Sequence, residues 1–223
     1  MKNIILLLLG FSLSNQLLAQ SVSVPVPVRD EPHHKVVLEN DYVRLINVLI
    51  PGHDTTLVHR HAAASVIVYL SDNNIGAQIV GEKPVLSESS PGQINYAAYD
   101  LKPINHRVWN RDNTPYHVMD IELVRKPPYG DSCQLITDNS AHLQWRQKEV
   151  RTYKLKLGPG NQLHIPESNC AHLLITVTGI LTATSNAHMH TMQAGGYVFF
   201  PPQSPIDLGS MKDGGDAILL ELK

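Results

Sequence analysis

Two short stretches of the chain carry residues whose types and spacing can do chemistry. "LVHRHA", Leu57 to Ala62, places His59 and His61 one residue apart, after a Pro51-Gly52 turn and before the apolar run "SVIVYL". In a strand, residues i and i+2 share a face, so these two imidazoles project together, with Cβ atoms roughly 6–7 Å apart, while Arg60 points away. Metal–nitrogen bonds are only about 2 Å long, so both rings can reach one ion. "PINHRVWN" supplies His106 as a third ligand. The turn "SSPG" upstream of it gives the chain room to reverse and bring that histidine beside the pair. Three neutral imidazoles leave a divalent ion with its charge uncompensated and two or three positions open, which makes it a strong Lewis acid. Three hydrogen-bonded histidines lining a polar cavity are the plainer alternative.

The elements that must position these rings are short, β-branched and alternating. "VVLE", "YVRLINVLI", "SVIVYL", "GAQIV", "QINYAAY", "HRVWN" and "YHVMDIELV" are separated by clusters such as "SDNN", "EKP", "SSPG" and "RDNTP". Evenly spaced short strands without an amphipathic helix predict an all-β sandwich or barrel. The plan recurs. "YVRLINVLIPG" (42–52) resembles "EVRTYKLKLGPG" (149–160), and "VMDIELV" (118–124) resembles "AILLELK" (217–223). Two tandem β domains follow, over residues 36–126 and 148–223, with 127–147 as a linker that holds a short helix or simply joins the two.

The remainder of the chain bounds the context. Its 223 residues are 43% hydrophobic and 17% charged, with a formal net charge of -2, so no basic excess points to nucleic acid. "MKNIILLLLGFSLSNQLLAQ" (1–20) has Lys2, an apolar stretch and Ala19 at the expected cleavage region, the pattern of a secretory signal peptide that is too short and interrupted to span a membrane. The expected location is periplasmic or secreted. "SVSVPVPVRDEPHHK" (21–35) reads as an extended strap, with His33 and His34 as solvated residues on it. Cys133 and Cys170 could pair in an oxidising compartment or stay as two buried thiols.

Gly52, His59-Arg60-His61 and Ser65 before an apolar strand resemble the first motif of the cupin superfamily, and Gly92 through Pro103, His106 and Asn110 resemble its second. The likeness is close over Val36 to Val124 and general over the second copy. It implies two tandem antiparallel jelly-roll barrels, a bicupin, with a divalent metal inside the first. The family's first motif usually adds a Glu ligand where this chain has Ser65 or Val66, so a three-histidine site is expected, as in cupins similar to thiol and diketone dioxygenases. Asn105 stands where the second motif usually has Gly. The second copy offers only His164 and His172 along its leading strands, and no histidine in "GGYVFFPPQSPIDLGS", so it is expected to hold no metal. His188 and His190 repeat the paired spacing but fall in a hairpin turn as exposed residues.

Strand parity from His61 and Ser65 puts Ile67 and Tyr69 on the inner face, and parity from His106 adds Val108 and Asn110. Tyr69 is the candidate catalytic group, a hydroxyl able to donate to a bound anion or peroxide, against the plainer role of a packed ring. His117, in phase with Met119 and Ile121, reads as a cavity or core residue, and Arg60 and Arg107 as outward-facing. The expected cofactor is a divalent ion, Fe(II) first, with Zn, Cu, Mn or Ni open because imidazole suits them all; loading outside the cytoplasm favours Cu or Zn. The first functional reading is a dioxygenase-type oxidoreductase acting on a small molecule. A redox-neutral isomerase, lyase or hydrolase on a sugar or small acid, and a non-catalytic small-molecule binder, stay open beside it. A homodimer is also left open.

Overall fold

The computed structural model describes residues 24–125 and 133–223. The signal peptide read over 1–20 lies outside the described residues, as do the first residues of the strap and most of the amino-terminal part of the linker.

The leading domain contains β1 (Val26–Pro27), β2 (His34–Glu39), β3 (Val43–Ile50), β4 (His59–His61), β5 (Ala64–Tyr69), β6 (Asn73–Ile79), β7 (Val85–Ser89), β8 (Ile94–Ala98), β9 (Ile104–Asn110) and β10 (Tyr116–Leu123). They form two five-stranded sheets, in the orders β1-β4-β9-β6-β7 and β2-β3-β10-β5-β8. The second domain contains β11 (Ala141–Arg146), β12 (Val150–Leu157), β13 (Gln162–Ile165), β14 (Ala171–Ser185), β15 (His188–Gln193), β16 (Tyr197–Phe200) and β17 (Ile206–Leu222). Its spine runs β11-β12-β17-β14-β15, with β13 on β17 and β16 on β14. The molecule is thus a pair of tandem jelly-roll barrels. Among the described residues the only helical turn is Val28–Asp30, and no helix is long and apolar enough to cross a membrane.

The repeated segments occupy equivalent places. β3 pairs with β10 from Val43↔Leu123, and β12 pairs with β17 from Val150↔Leu222. In each domain the first long strand therefore lies antiparallel to the last. The turn "SSPG" works as read: the Gln93 amide bonds to the Ser90 carbonyl at 3.0 Å, and Gly92 takes the φ of 77° that a side chain would resist. Gly76 faces Trp109 so closely that an added Cβ would lie 2.0 Å from the indole, so the ring packs flat on bare backbone.

The sheet containing β3, β5 and β10 is buried on both faces. Ile46, Val48, Ile50, Tyr116 and Val118 point into the first barrel, while Val43, Leu45, Val66, Val68, Met119 and Ile121 point the other way. That outer face packs on Val150, Leu173, Ile175, Ile218 and Leu220 of the second domain, forming a shared core between the barrels. Runs such as "SVIVYL" are continuous rather than alternating because neither face meets water. His117 sits on this interdomain side, its ring bonded to Asn47 at 2.7 Å. It is half-buried and lies away from the histidine cavity.

Two sequence expectations need correction here. The strap is not a free tether: β1 pairs in parallel with β4, Val26 opposite His59, and Val28 is buried in the first barrel's core. Residues 141–146, read as part of a linker that holds a short helix or simply joins the two domains, form β11 and pair with β12, which buries Ala141 in the second barrel's core and packs Trp145 on the shared core. Cys133 and Cys170, left open by sequence, form a disulfide with Cα atoms 6.0 Å apart.

Candidate metal centre

β4 and β9 pair with His59 directly opposite His106, so a single cross-strand register brings the two motifs together. His61 follows on the same face of β4. The ring centroids lie 5.0 Å (His59–His61), 4.5 Å (His59–His106) and 4.9 Å (His61–His106) apart. One nitrogen from each falls within 4.8 Å of the others. Ring shifts of under about 1 Å let the three share an ion at bonds of about 2 Å.

The surroundings suit a cation. Burial holds His61 down to about 2, His106 to about 3 and His59 to about 4, with repulsion from neighbouring rings adding to it, from His34 in all three cases. All three are neutral at neutral pH, the form that presents a lone pair. The His59 Nδ1–H donates to the Leu57 carbonyl at 2.9 Å, which leaves Nε2 free to ligate. His106 Nε2 is buried with no hydrogen-bond partner, a state that a bound ion would relieve. His61 Nδ1 lies 3.5 Å from Asp120 Oδ2. Burial pushes the Asp120 carboxyl up to about 7, the Glu122 charge adds to this and the Ser65 hydroxyl opposes it. The residues present fit a divalent metal.

A cavity of about 230 Å³ opens on this triad. Its wall includes Ile67, Tyr69 and Val108, as strand parity predicts, and Arg60 and Arg107 face solvent. Asn110 is a correction. Its amide instead donates to the Ile50, Pro51 and Thr114 carbonyls, pinning the turns at the barrel's end, so its side chain is spent on loop closure. Tyr69 accepts a hydrogen bond from the Asn95 amide at 3.0 Å and hydrogen-bonds with Tyr116. Burial raises the Tyr69 hydroxyl and raises that of Tyr99, whose ring is 5.0 Å from His61, to about 12. Asn105, in place of the usual Gly, is an ordinary residue of β9 opposite Arg60.

Among the wall residues that sequence reasoning missed, His34, Tyr99, Tyr116 and Asp120 carry titratable groups. Asp120 was visible as an acid inside the apolar strand "VMDIEL". His34, read as a solvated residue of the strap, is instead enclosed: its side chain is 5% exposed, its ring lies 4.8 Å from His59, and its Nδ1 hydrogen-bonds Glu31. The buried Glu31 carboxylate would rise by desolvation, but hydrogen bonds from His34 and His33 outweigh this and hold it at about 2.

The second barrel is filled by Tyr153, Leu155, Leu157, Leu174, Leu181 and other apolar side chains, with no histidine group among its described residues. His164 is exposed and bonded to Asp207 at 2.7 Å, while His172 is buried facing Glu221. His188 and His190 are exposed as expected, but they lie in β15 itself; the turn before them is Asn186–Ala187, at φ 48° and 65°. One other metal-competent trio among the described residues, Cys133, Cys170 and Glu221, is occupied by the disulfide and an ion pair to Arg151.

No protein-family model matches the chain, and no curated protein matches it. Solved structures do. AerE from Microcystis aeruginosa superposes with a TM-score of 0.64 at 16% identity, over 90% of this chain and 97% of that one. A salicylate 1,2-dioxygenase from Pseudaminobacter salicylatoxidans gives 0.59 at 10% identity, over 81% and 71%. A cupin 2 conserved barrel domain protein from Leptotrichia buccalis gives 0.56 at 10% identity, over 85% and 88%. These likenesses establish the fold.

Proposed function

We propose that this chain, which has the fold of the cupin superfamily, is an exported metal-dependent oxygenase acting on a small organic molecule. The observation that carries the reading is the convergence of His59, His61 and His106, three neutral imidazoles with no carboxylate among them, on one cavity. Such a donor set leaves open positions on the ion, and Fe(II) there would supply oxygen activation, with Zn, Cu, Mn or Ni as other occupants.

The chain's own residues do the rest. Ile67, Ile75, Val108 and Val118 give the cavity an apolar wall that excludes water and admits a compact substrate. Tyr69, oriented by Asn95, is the hydroxyl placed to donate to an anionic group bound beside the histidines. Asp120 orients His61 from behind. Export is supported by the leader-like first twenty residues and by the Cys133–Cys170 disulfide, which suits an oxidising compartment. The salicylate dioxygenase likeness supports the oxygenase choice by fold alone.

Elemental analysis of the purified protein tests the reading, alongside His59→Ala and His106→Ala. Near-stoichiometric metal is expected in the wild type and its loss in both variants. Substrate-dependent oxygen uptake by the iron-loaded protein then tests the oxygenase assignment. A second reading, redox-neutral chemistry, is favoured by the presence of the Asp120 carboxyl in the same cavity; turnover without oxygen by a Zn- or Mn-loaded protein would select it.

A further inference from the structure

Glu31 stands outside both motifs, yet it is bonded to the residue whose carbonyl holds the first ligand histidine. Its carboxylate is fully buried and takes four hydrogen bonds. Oε1 accepts from the Leu57 backbone N–H at 3.1 Å and from the His33 ring at 3.1 Å. Oε2 accepts from the His33 backbone N–H at 2.7 Å and from the His34 ring. The far side of the same residue 57 is the carbonyl that receives the His59 Nδ1–H at 2.9 Å. A two-bond path thus runs from the Glu31 carboxylate, through one residue, to a ligand ring. The strap reinforces it, since the Val26 N–H bonds to the Val58 carbonyl at 3.0 Å, on the residue next to His59.

Burying a carboxylate costs several kcal/mol unless donors satisfy it, and an apolar side chain would fasten a strap without that cost. The directed bonds make sense where one backbone segment must be held to a fraction of an ångström. We propose that Glu31 is a positioning residue of the metal centre: by clamping Leu57 it fixes the rotamer and tautomer of His59, so the strap is a working part of the site. The proposal rests on the metal reading above. It requires no change in protonation, only that the Leu57 segment stay where the clamp holds it.

The test uses the full chain, stripped and reloaded with Co(II), whose visible d–d bands report the ligand field. Affinity is measured by competition with a chelator. Glu31→Ala is expected to weaken Co(II) binding 10- to 100-fold, the usual effect of losing a group that orients a ligand, and to shift the d–d bands. Glu31→Gln keeps an acceptor oxygen for Leu57 and is expected to fall between the wild type and the Ala variant. Val28→Ala trims the strap's apolar packing but keeps the four hydrogen bonds of the Glu31 carboxylate, and is expected to lower the melting temperature with a much smaller loss of affinity and a smaller band shift than Glu31→Ala. Wild-type affinity and spectrum in Glu31→Ala would overturn the proposal, as would an equal loss in Val28→Ala, which would reduce Glu31 to a fastener. A different failure marks the underlying reading: if wild type takes up no Co(II), or His59→Ala binds it unchanged, the metal centre itself falls and the proposal with it.

Discussion

Asp120 and His61 meet inside the first barrel, Oδ2 to Nδ1 at 3.5 Å, the one projecting from β10 and the other from β4 in the sheet across the cavity. Both side chains are nearly inaccessible to water, and neither carboxylate oxygen of Asp120 has a well-aligned hydrogen-bond partner among the described residues. The relationship is the one expected of a carboxylate behind a ligand histidine. Asp120→Asn should weaken metal binding about 10- to 100-fold, measured by chelator competition, while the thermal midpoint of the metal-stripped protein does not fall. A drop in the stripped protein's midpoint with unchanged affinity would mean that the carboxyl serves packing alone.

Tyr69 reaches the cavity from β5 with its hydroxyl held by Asn95. On the oxygenase reading, Tyr69→Phe should retain full metal content and lower the maximal rate of oxygen uptake by about a hundredfold to a thousandfold, the effect of removing one preorganised donor. Undiminished turnover would leave Tyr69 as a wall residue whose ring fills space.

His172 predicts an acid limit to stability that is independent of the metal. Burial, with Arg151 nearby, holds its imidazole down to about 4, whereas an ordinary histidine takes a proton near 6.5. The unfolded chain therefore binds a proton that the folded one refuses, and stability is lost as pH falls from about 6.5 to about 4. The loss totals on the order of 3 kcal/mol from this residue. Denaturant titrations of metal-stripped protein at several pH values should show a shallower decline in His172→Gln than in the wild type.

The Cys133–Cys170 bond closes a loop with a sequence separation of 37 residues. Replacing both cysteines with serine should lower unfolding free energy by about 4 kcal/mol on the chain-entropy argument, read as a fall in denaturant midpoint. The three-histidine group lies in the other barrel, so metal affinity should stay unchanged in that variant.

Much of this was legible in the order of residues alone. Period-two alternation and turn chemistry are local properties, so the strands, the two-domain plan and the shared outlook of His59 and His61 could be read without coordinates. His106 could be placed with them because the turn "SSPG" upstream lets the chain reverse and because its motif resembles the second one of the cupin superfamily. What only the tertiary structure decided are the relationships that cross sheets or domains. Parity on β10 is ambiguous when both faces are buried, so nothing local says that Tyr116 and Asp120 face the cavity while His117 and Met119 face the second barrel. Asn110 shares parity with His106 but is diverted by three carbonyls that converge only after folding. Glu31 and His34 looked like a solvated tail because hydrophilic composition is the same whether a strap floats or is clamped. The disulfide, likewise, depends on two positions that become neighbours only once β14 and the chain around Cys133 are packed together.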